Sequence, residues 1–229
     1  MKYLNNYHQL ARLFEYPDAD FPQKVGQIRE LLDGTYPDAV VELDQFIKRL
    51  PADDLLTMQE LFTRSFDVQA IATLDIGYVL FGDDYKRGEL LANLNKEHRE
   101  AGNDCGSELA DHLPNILRLM SVLRDDELVR DLAYAIVAPA LLEMIGEFAP
   151  ERLEKKNKSY KKHYKTLIEM PVALKDDSVT LYIFALKVLY EVLKEDFSLI
   201  KEMPLERKSD FLGSIDQEIE IEERANSQN

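Results

Sequence analysis

Tyr85-Lys86-Arg87-Gly88-Glu89-Leu90-Leu91-Ala92-Asn93-Leu94-Asn95-Lys96-Glu97-His98-Arg99-Glu100-Ala101-Gly102 reads as one helix followed by its stop. Leu90, Leu91, Leu94 and His98 recur at three- and four-residue spacing, which places them on one face. Gly102 follows the last periodic residue, where a left-handed C-terminal cap favours a residue without Cβ. The same period recurs on both sides of this stretch, and that recurrence assigns the chain to the all-α class.

Toward the N-terminus, Leu4, Tyr7, Ala11 and Phe14 form a stripe that Tyr16-Pro17 ends, and Phe21, Val25, Ile28 and Leu32 form another before Gly34. Val40, Leu43, Ile47 and Leu50 predict a third helix before Pro51. An Asp53-Asp54 cap opens a fourth, with Leu55, Gln59, Phe62 and Phe66 on its stripe. The short connections predict antiparallel neighbours in a helical bundle. Between Asp67 and Asp84 the period weakens around Gly77 and Gly82-Asp83, which marks the least helical segment. Toward the C-terminus, Pro114 opens a helix with Leu117, Met120 and Leu123. Leu128, Leu132, Ile136, Leu142 and Ile145 predict a long helix kinked at Pro139, and Val179, Ile183, Leu186, Tyr190 and Leu193 predict another.

At 229 residues, with 45% hydrophobic and 31% charged, the chain can close around one core. One helical domain over 1–195 is expected, followed by an acidic, mobile tail over 196–229. A net charge of −15 and an isoelectric point near 4.7 oppose binding to nucleic acid or anionic lipid, which draw on clustered Lys and Arg. Cys105 is the one cysteine, so no intrachain disulfide can form. No signal-like core follows Met1, and the apolar run Val179 to Leu193 falls short of the ~20 residues a membrane span needs. A soluble, cytoplasmic protein without membrane insertion is expected.

Few residues suggest chemistry. No phosphate-cradling glycine spacing surrounds Gly82, Gly88, Gly102 or Gly106, and His8, His98, His112, His163 and Cys105 form no metal-ligand pattern. Cys105 and His112 are seven residues apart, about 10.5 Å on one helix, too far for a local dyad. The basic run Lys155, Lys156, Lys158, Lys161, Lys162 and Lys165 reads as a solvated helix face, with docking of an acidic partner as the alternative. Glu108-Leu109-Ala110-Asp111-His112-Leu113-Pro114-Asn115 is more informative. If Glu108 to His112 is helical, Glu108 lies one turn from Asp111 and His112 and pairs a carboxylate with an imidazole. Leu113, preceding proline, is pushed from helical geometry, which sets Asp111 and His112 at a helix break. Those groups either pin two helices or offer hydrogen bonds to a guest peptide.

Two stretches carry a family likeness. Leu61-Phe62-Thr63-Arg64-Ser65-Phe66-Asp67-Val68 with Leu74-Asp75-Ile76-Gly77-Tyr78-Val79-Leu80-Phe81-Gly82-Asp83-Asp84-Tyr85-Lys86-Arg87-Gly88, and His98-Arg99-Glu100-Ala101-Gly102-Asn103-Asp104-Cys105-Gly106-Ser107-Glu108-Leu109-Ala110-Asp111-His112-Leu113-Pro114-Asn115, resemble the nitrate reductase delta-subunit, or NarJ-type, assembly chaperones. A wider group of molybdoenzyme chaperones carries an acidic residue, proline, any residue, then Asp-His. Glu108, Asp111 and His112 match it, and Leu109 stands in place of the proline. The resemblance implies an all-helical fold and no catalysis; no cofactor or metal is expected. It also implies binding of the N-terminal segment of the nitrate reductase catalytic (alpha) subunit. That subunit is then kept open for molybdenum cofactor and iron-sulfur insertion before membrane docking. On this expectation Phe62, Phe66, Leu80 and Phe81 form the apolar wall of a peptide groove, and Glu108, Asp111, His112 and Asn115 its polar end. Two other classes compete: a small hydrolase or transferase using Asp111 and His112, and a structural subunit retained in the reductase.

Overall fold

The structure, a computed structural model, describes residues 5–163 and 180–199, with the side chains of 157 and 159–163 excepted. The fold is all-α, and the described residues contain no strand. The expected acidic tail from residue 200 onward, and Leu4, Lys165 and Val179 of the predicted stripes and basic run, lie outside the described residues.

The helices are α1 (Asn5–Ala11), α2 (Phe21–Leu32), α3 (Pro37–Arg49), α4 (Leu55–Phe66), α5 (Ile76–Phe81), α6 (Tyr85–Ala101), α7 (Leu113–Val122), α8 (Asp126–Asp131), α9 (Ala138–Glu147), α10 (Pro150–His163) and α11 (Tyr182–Phe197). A 3-10 turn, Arg12–Phe14, follows α1. Contacts gather the chain into two compact units that interleave in sequence. Among the described residues the first holds 5–11, 75–140 and 193–199, and the second 12–74, 141–163 and 180–192.

In the first unit α1 packs on α7, α6 on both α5 and α7, and α5 on the turn that follows α8. Tyr7, Leu10, Leu90, Leu94, Ile116 and Met120 are fully buried there. Tyr7 also donates its hydroxyl to Asp196 Oδ2 at 2.8 Å, and its ring lies 6.2 Å from Phe197. The stop at Gly102 is as expected: its φ is +68° and its N–H bonds back to His98 and Arg99 carbonyls. Asp84 caps the other end of α6, its carboxylate accepting from Lys86 N–H at 3.0 Å. Replacing Asp84 by alanine is expected to lower stability by about 1 kcal/mol in urea unfolding, the usual loss for an N-cap carboxylate.

The second unit is built on rings. Phe66 and Phe62 stack edge-on at 5.3 Å, each packs against Tyr182, and Phe46 also packs edge-on against the Tyr182 ring at 5.6 Å. Asp54 caps α4 by accepting from Thr57 N–H at 3.1 Å. Helix α2 buries the predicted Phe21, Val25, Ile28 and Leu32. Helix α3 instead buries Ala39, Leu43 and Phe46, while Ile47 is exposed. Phe46 has the largest apolar surface on that helix, and its burial sets the phase against the aliphatic stripe.

Two other sequence expectations change. The weakly periodic segment contains the six-residue α5. The long helix expected through Pro139 is present from Asp126 to Glu147, with a π-type turn over Leu132–Val137 between α8 and α9, but Leu142 of its expected stripe is exposed. Pro139 explains the widened turn. It has no N–H, and its ring crowds the carbonyl four residues earlier, so the backbone shifts to a bond from Ala138 N–H to Ala133 O. No single helix among the described residues is long and apolar enough to cross a membrane.

Candidate functional site

Asp75 precedes α5 and His112 precedes α7, both at the N-cap position, yet neither side chain caps its own helix. They bond each other instead. His112 Nδ1 lies 3.1 Å from Asp75 Oδ1, and the two residues form an isolated antiparallel bridge in which Ile76 N–H donates to Asp111 O at 3.0 Å. A carboxylate only accepts, so Nδ1 carries a proton.

Arg87 completes the cluster from the first turn of α6. Its Nε donates to Asp111 Oδ2 at 2.8 Å, one terminal nitrogen donates to Asp75 Oδ2 at 2.9 Å, and its guanidinium lies 5.3 Å from the centre of the Tyr78 ring. Asp111 is 0% exposed, so its carboxylate is out of water, while the Arg87 side chain keeps 17% exposure. A cation in a first turn opposes the helix dipole, and two carboxylates outweigh that here. Two carboxylates, one guanidinium and one imidazole thus meet in one cluster.

Gly77 lets α5 approach this closely. A Cβ at that position would lie 2.5 Å from Asp111 Oδ2 and 3.1 Å from Leu90 Cδ2. Asn115, the other polar candidate, is buried and works inward: its Nδ2 donates to Cys105 O at 3.2 Å and Leu109 O at 3.0 Å, and its Oδ1 accepts from Arg118 at 3.0 Å.

The electrostatics follow from these bonds. The hydrogen bond from His112, with help from Arg87, holds the Asp75 carboxyl below its ordinary value despite partial burial. Asp111 likewise raises Arg87 above its own. Because the folded pKa of Asp75 is depressed, its contribution to stability is complete above the unfolded value of about 3.9 and is lost as pH falls below it. The urea midpoint of the wild type is therefore expected to fall below about pH 4 more steeply than that of Asp75→Asn. Parallel slopes would remove the assignment.

Comparison with models of known families, with curated proteins and with solved structures finds no match.

The eight sequence-predicted residues divide by unit. Glu108, Asp111, His112, Asn115, Leu80 and Phe81 belong to the first unit, and Phe62 and Phe66 to the second. The pairing expected of Glu108 is corrected. Residues 103–112 form turns and not a helix, Glu108 is exposed, and the partners are Asp75 for His112 and Arg87 for Asp111. Helical geometry is absent there because Asn115 draws the carbonyls of Cys105 and Leu109 to itself. Leu113 is also corrected. It is the first residue of α7 with Pro114 second, so the break falls at His112. Leu80 and Phe81 are half-buried, whereas Phe62 and Phe66 are buried in ring packing. Asp75, Gly77 and Arg87 were not singled out as site residues in the sequence. An arginine against the dipole in a first turn and a glycine within an apolar helix were the available signals.

Among the described residues no group of three or more His, Cys, Asp or Glu could hold a metal ion. Burial pushes the Cys105 thiol above its ordinary value, the reverse of what an attacking thiolate needs.

Proposed function

We propose that this chain is an assembly chaperone, not an enzyme. It binds the N-terminal segment of a respiratory nitrate reductase catalytic subunit in the cytoplasm and keeps that subunit competent for molybdenum cofactor and iron-sulfur insertion before membrane docking. One observation carries the reading beyond the resemblance itself. Asp75, Gly77 and Arg87 come from one of the two family-like stretches, Asp111 and His112 from the other, and the five meet in one cluster. Five residues of the two family-like stretches are thus tied together in the first unit.

Around that cluster the first unit offers both chemistries that an amphipathic, basic peptide uses. Tyr78 and Leu109 are exposed, Leu80 and Phe81 are half-buried, and Glu108 with Asp83 and Asp84 lies open to solvent. Asp111 acts as a positioning residue through Arg87, and Glu108 and His112 are the polar groups left to meet a guest. Phe62 and Phe66 act as packing residues in this account. Part of the contact energy goes into ordering the peptide, so moderate affinity and release are compatible with a large contact area.

The test is isothermal titration with a peptide copying the first fifteen or so residues of the partner catalytic subunit, beside a scrambled peptide. Saturable binding of the native peptide alone is the expected result. Equal or absent binding sinks the proposal, and co-purification with the mature membrane-bound enzyme would favour a retained subunit instead.

A further inference from the structure

The loop between α6 and α7 is closed by a latch whose centre is a buried histidine. His98, in the last turn of α6, is 3% exposed. Its Nε2 lies 3.0 Å from Ala110 O, and its Nδ1 lies 2.9 Å from Asn103 Nδ2. A carbonyl only accepts, so Nε2 carries the proton and Nδ1 receives one from the Asn103 amide. The same amide nitrogen donates its second hydrogen to Asn115 O at 3.2 Å. Asn115 holds the middle of the loop through Cys105 O and Leu109 O. His98, Asn103 and Asn115 therefore form one chain of bonds, satisfied in a single tautomer of a neutral ring.

A second proton on the ring cannot be accommodated. It would set Nδ1–H against the Asn103 N–H group, donor against donor. Turning the amide over supplies an acceptor to the ring but presents Asn103 Oδ1 to the Asn115 carbonyl, oxygen against oxygen. Either arrangement leaves a buried polar group unmatched.

We propose that protonation of His98 unlatches residues 103–109 and so releases the segment that carries Asp111 and His112. Burial holds the His98 ring below its ordinary value of 6.5. The depressed folded value means that the closed form keeps its full stability above the unfolded pKa and loses it as pH falls below about 6.5. The charged and titratable side chains on the elements around the ring are Lys86, Arg87, Glu89, Lys96, Glu97, Arg99 and Glu100 on α6, Asp104, Cys105, Glu108, Asp111 and His112 on the loop, and Arg118 on α7. None of these bonds the ring, whose two nitrogens are taken by Ala110 and Asn103. Asp111 is engaged by Arg87, and Arg118 by Asn115. The latch does not depend on the chaperone reading and would operate whatever the segment binds.

Cys105, the one cysteine of the chain, sits half-buried in this loop and reports its opening. Its reaction with 4,4′-dithiodipyridine would be followed in the full chain at several pH values, each rate divided by that of the denatured chain at the same pH. The wild-type ratio is expected to rise roughly tenfold between about pH 7.5 and about pH 5.5, the range over which an ordinary histidine titrates. His98→Gln, which keeps a donor and an acceptor without titrating, is expected to give a flat ratio. A flat wild-type ratio, or an equal rise in both proteins, overturns the proposal. If His98→Gln fails to fold by circular dichroism, wild-type NMR decides: the His98 ring nitrogens and the amides of 103–110 must follow one titration curve, and separate curves overturn it.

Discussion

Gly77→Ala is expected to destabilise the protein by about 3–5 kcal/mol, the loss typical of a broken buried ion pair. Gly77 lies within α5 at an ordinary helical φ, so the requirement is for space and not for backbone freedom. An added Cβ would stand 2.5 Å from Asp111 Oδ2 and 3.3 Å from Asp111 Cβ. That oxygen is not the free end of a flexible chain, because Arg87 Nε holds it at 2.8 Å. On the other side Leu90 is fully buried and cannot retreat. Relief requires either that the carboxylate leave Arg87 or that α5 move off, which breaks the bond from Ile76 N–H to Asp111 O. Gly26→Ala in α2 is the control. Nothing lies within 4 Å of its Cβ position, and alanine in a helix interior is expected to stabilise by about 0.5–1 kcal/mol. Urea midpoints shifted in opposite directions would support this packing; a Gly77→Ala protein as stable as wild type would refute it.

Local rules recover the elements whose signals are local. The α6 limits follow from Leu90, Leu94 and His98 together with Gly102, and the α4 start follows from Asp54, because period and cap both lie within one or two turns. Helix α3 is predicted in the right place but in the wrong phase, since the burial of Phe46 among rings from elsewhere outweighs the Val40 and Ile47 positions. The candidate site divides in the same way. Asp111 and His112 are legible as polar residues at a helix start, but their partners Arg87 and Asp75 lie 24 and 37 residues away. Such separations carry no periodic signal, so the nearby Glu108 looks like the natural partner. Only tertiary packing, with Gly77 permitting the approach, selects the distant ones.

The second large effect concerns Arg87 itself. Arg87→Met is expected to cost about 3–5 kcal/mol, because it leaves the buried Asp111 carboxylate without its cation. Arg87 also separates Asp111 from Asp75, so its loss brings two carboxylates into one site with no positive charge between them. The pair's own net contribution is smaller than that cost, since burying both ions already carries a desolvation penalty. A double-mutant cycle separates the two quantities. With Asp111→Asn in place, Arg87→Met no longer strands a charge, and its cost is expected to shrink by roughly 2 kcal/mol. Salt provides an independent check. Up to about 1 M sodium chloride the coupling is expected to persist, because buried charges are screened far less than exposed ones. Strictly additive single and double variants would mean that the two side chains act independently. Arg87 would then be a surface cation, and the charge cluster would have no special claim to organise α5, α6 and the loop before α7.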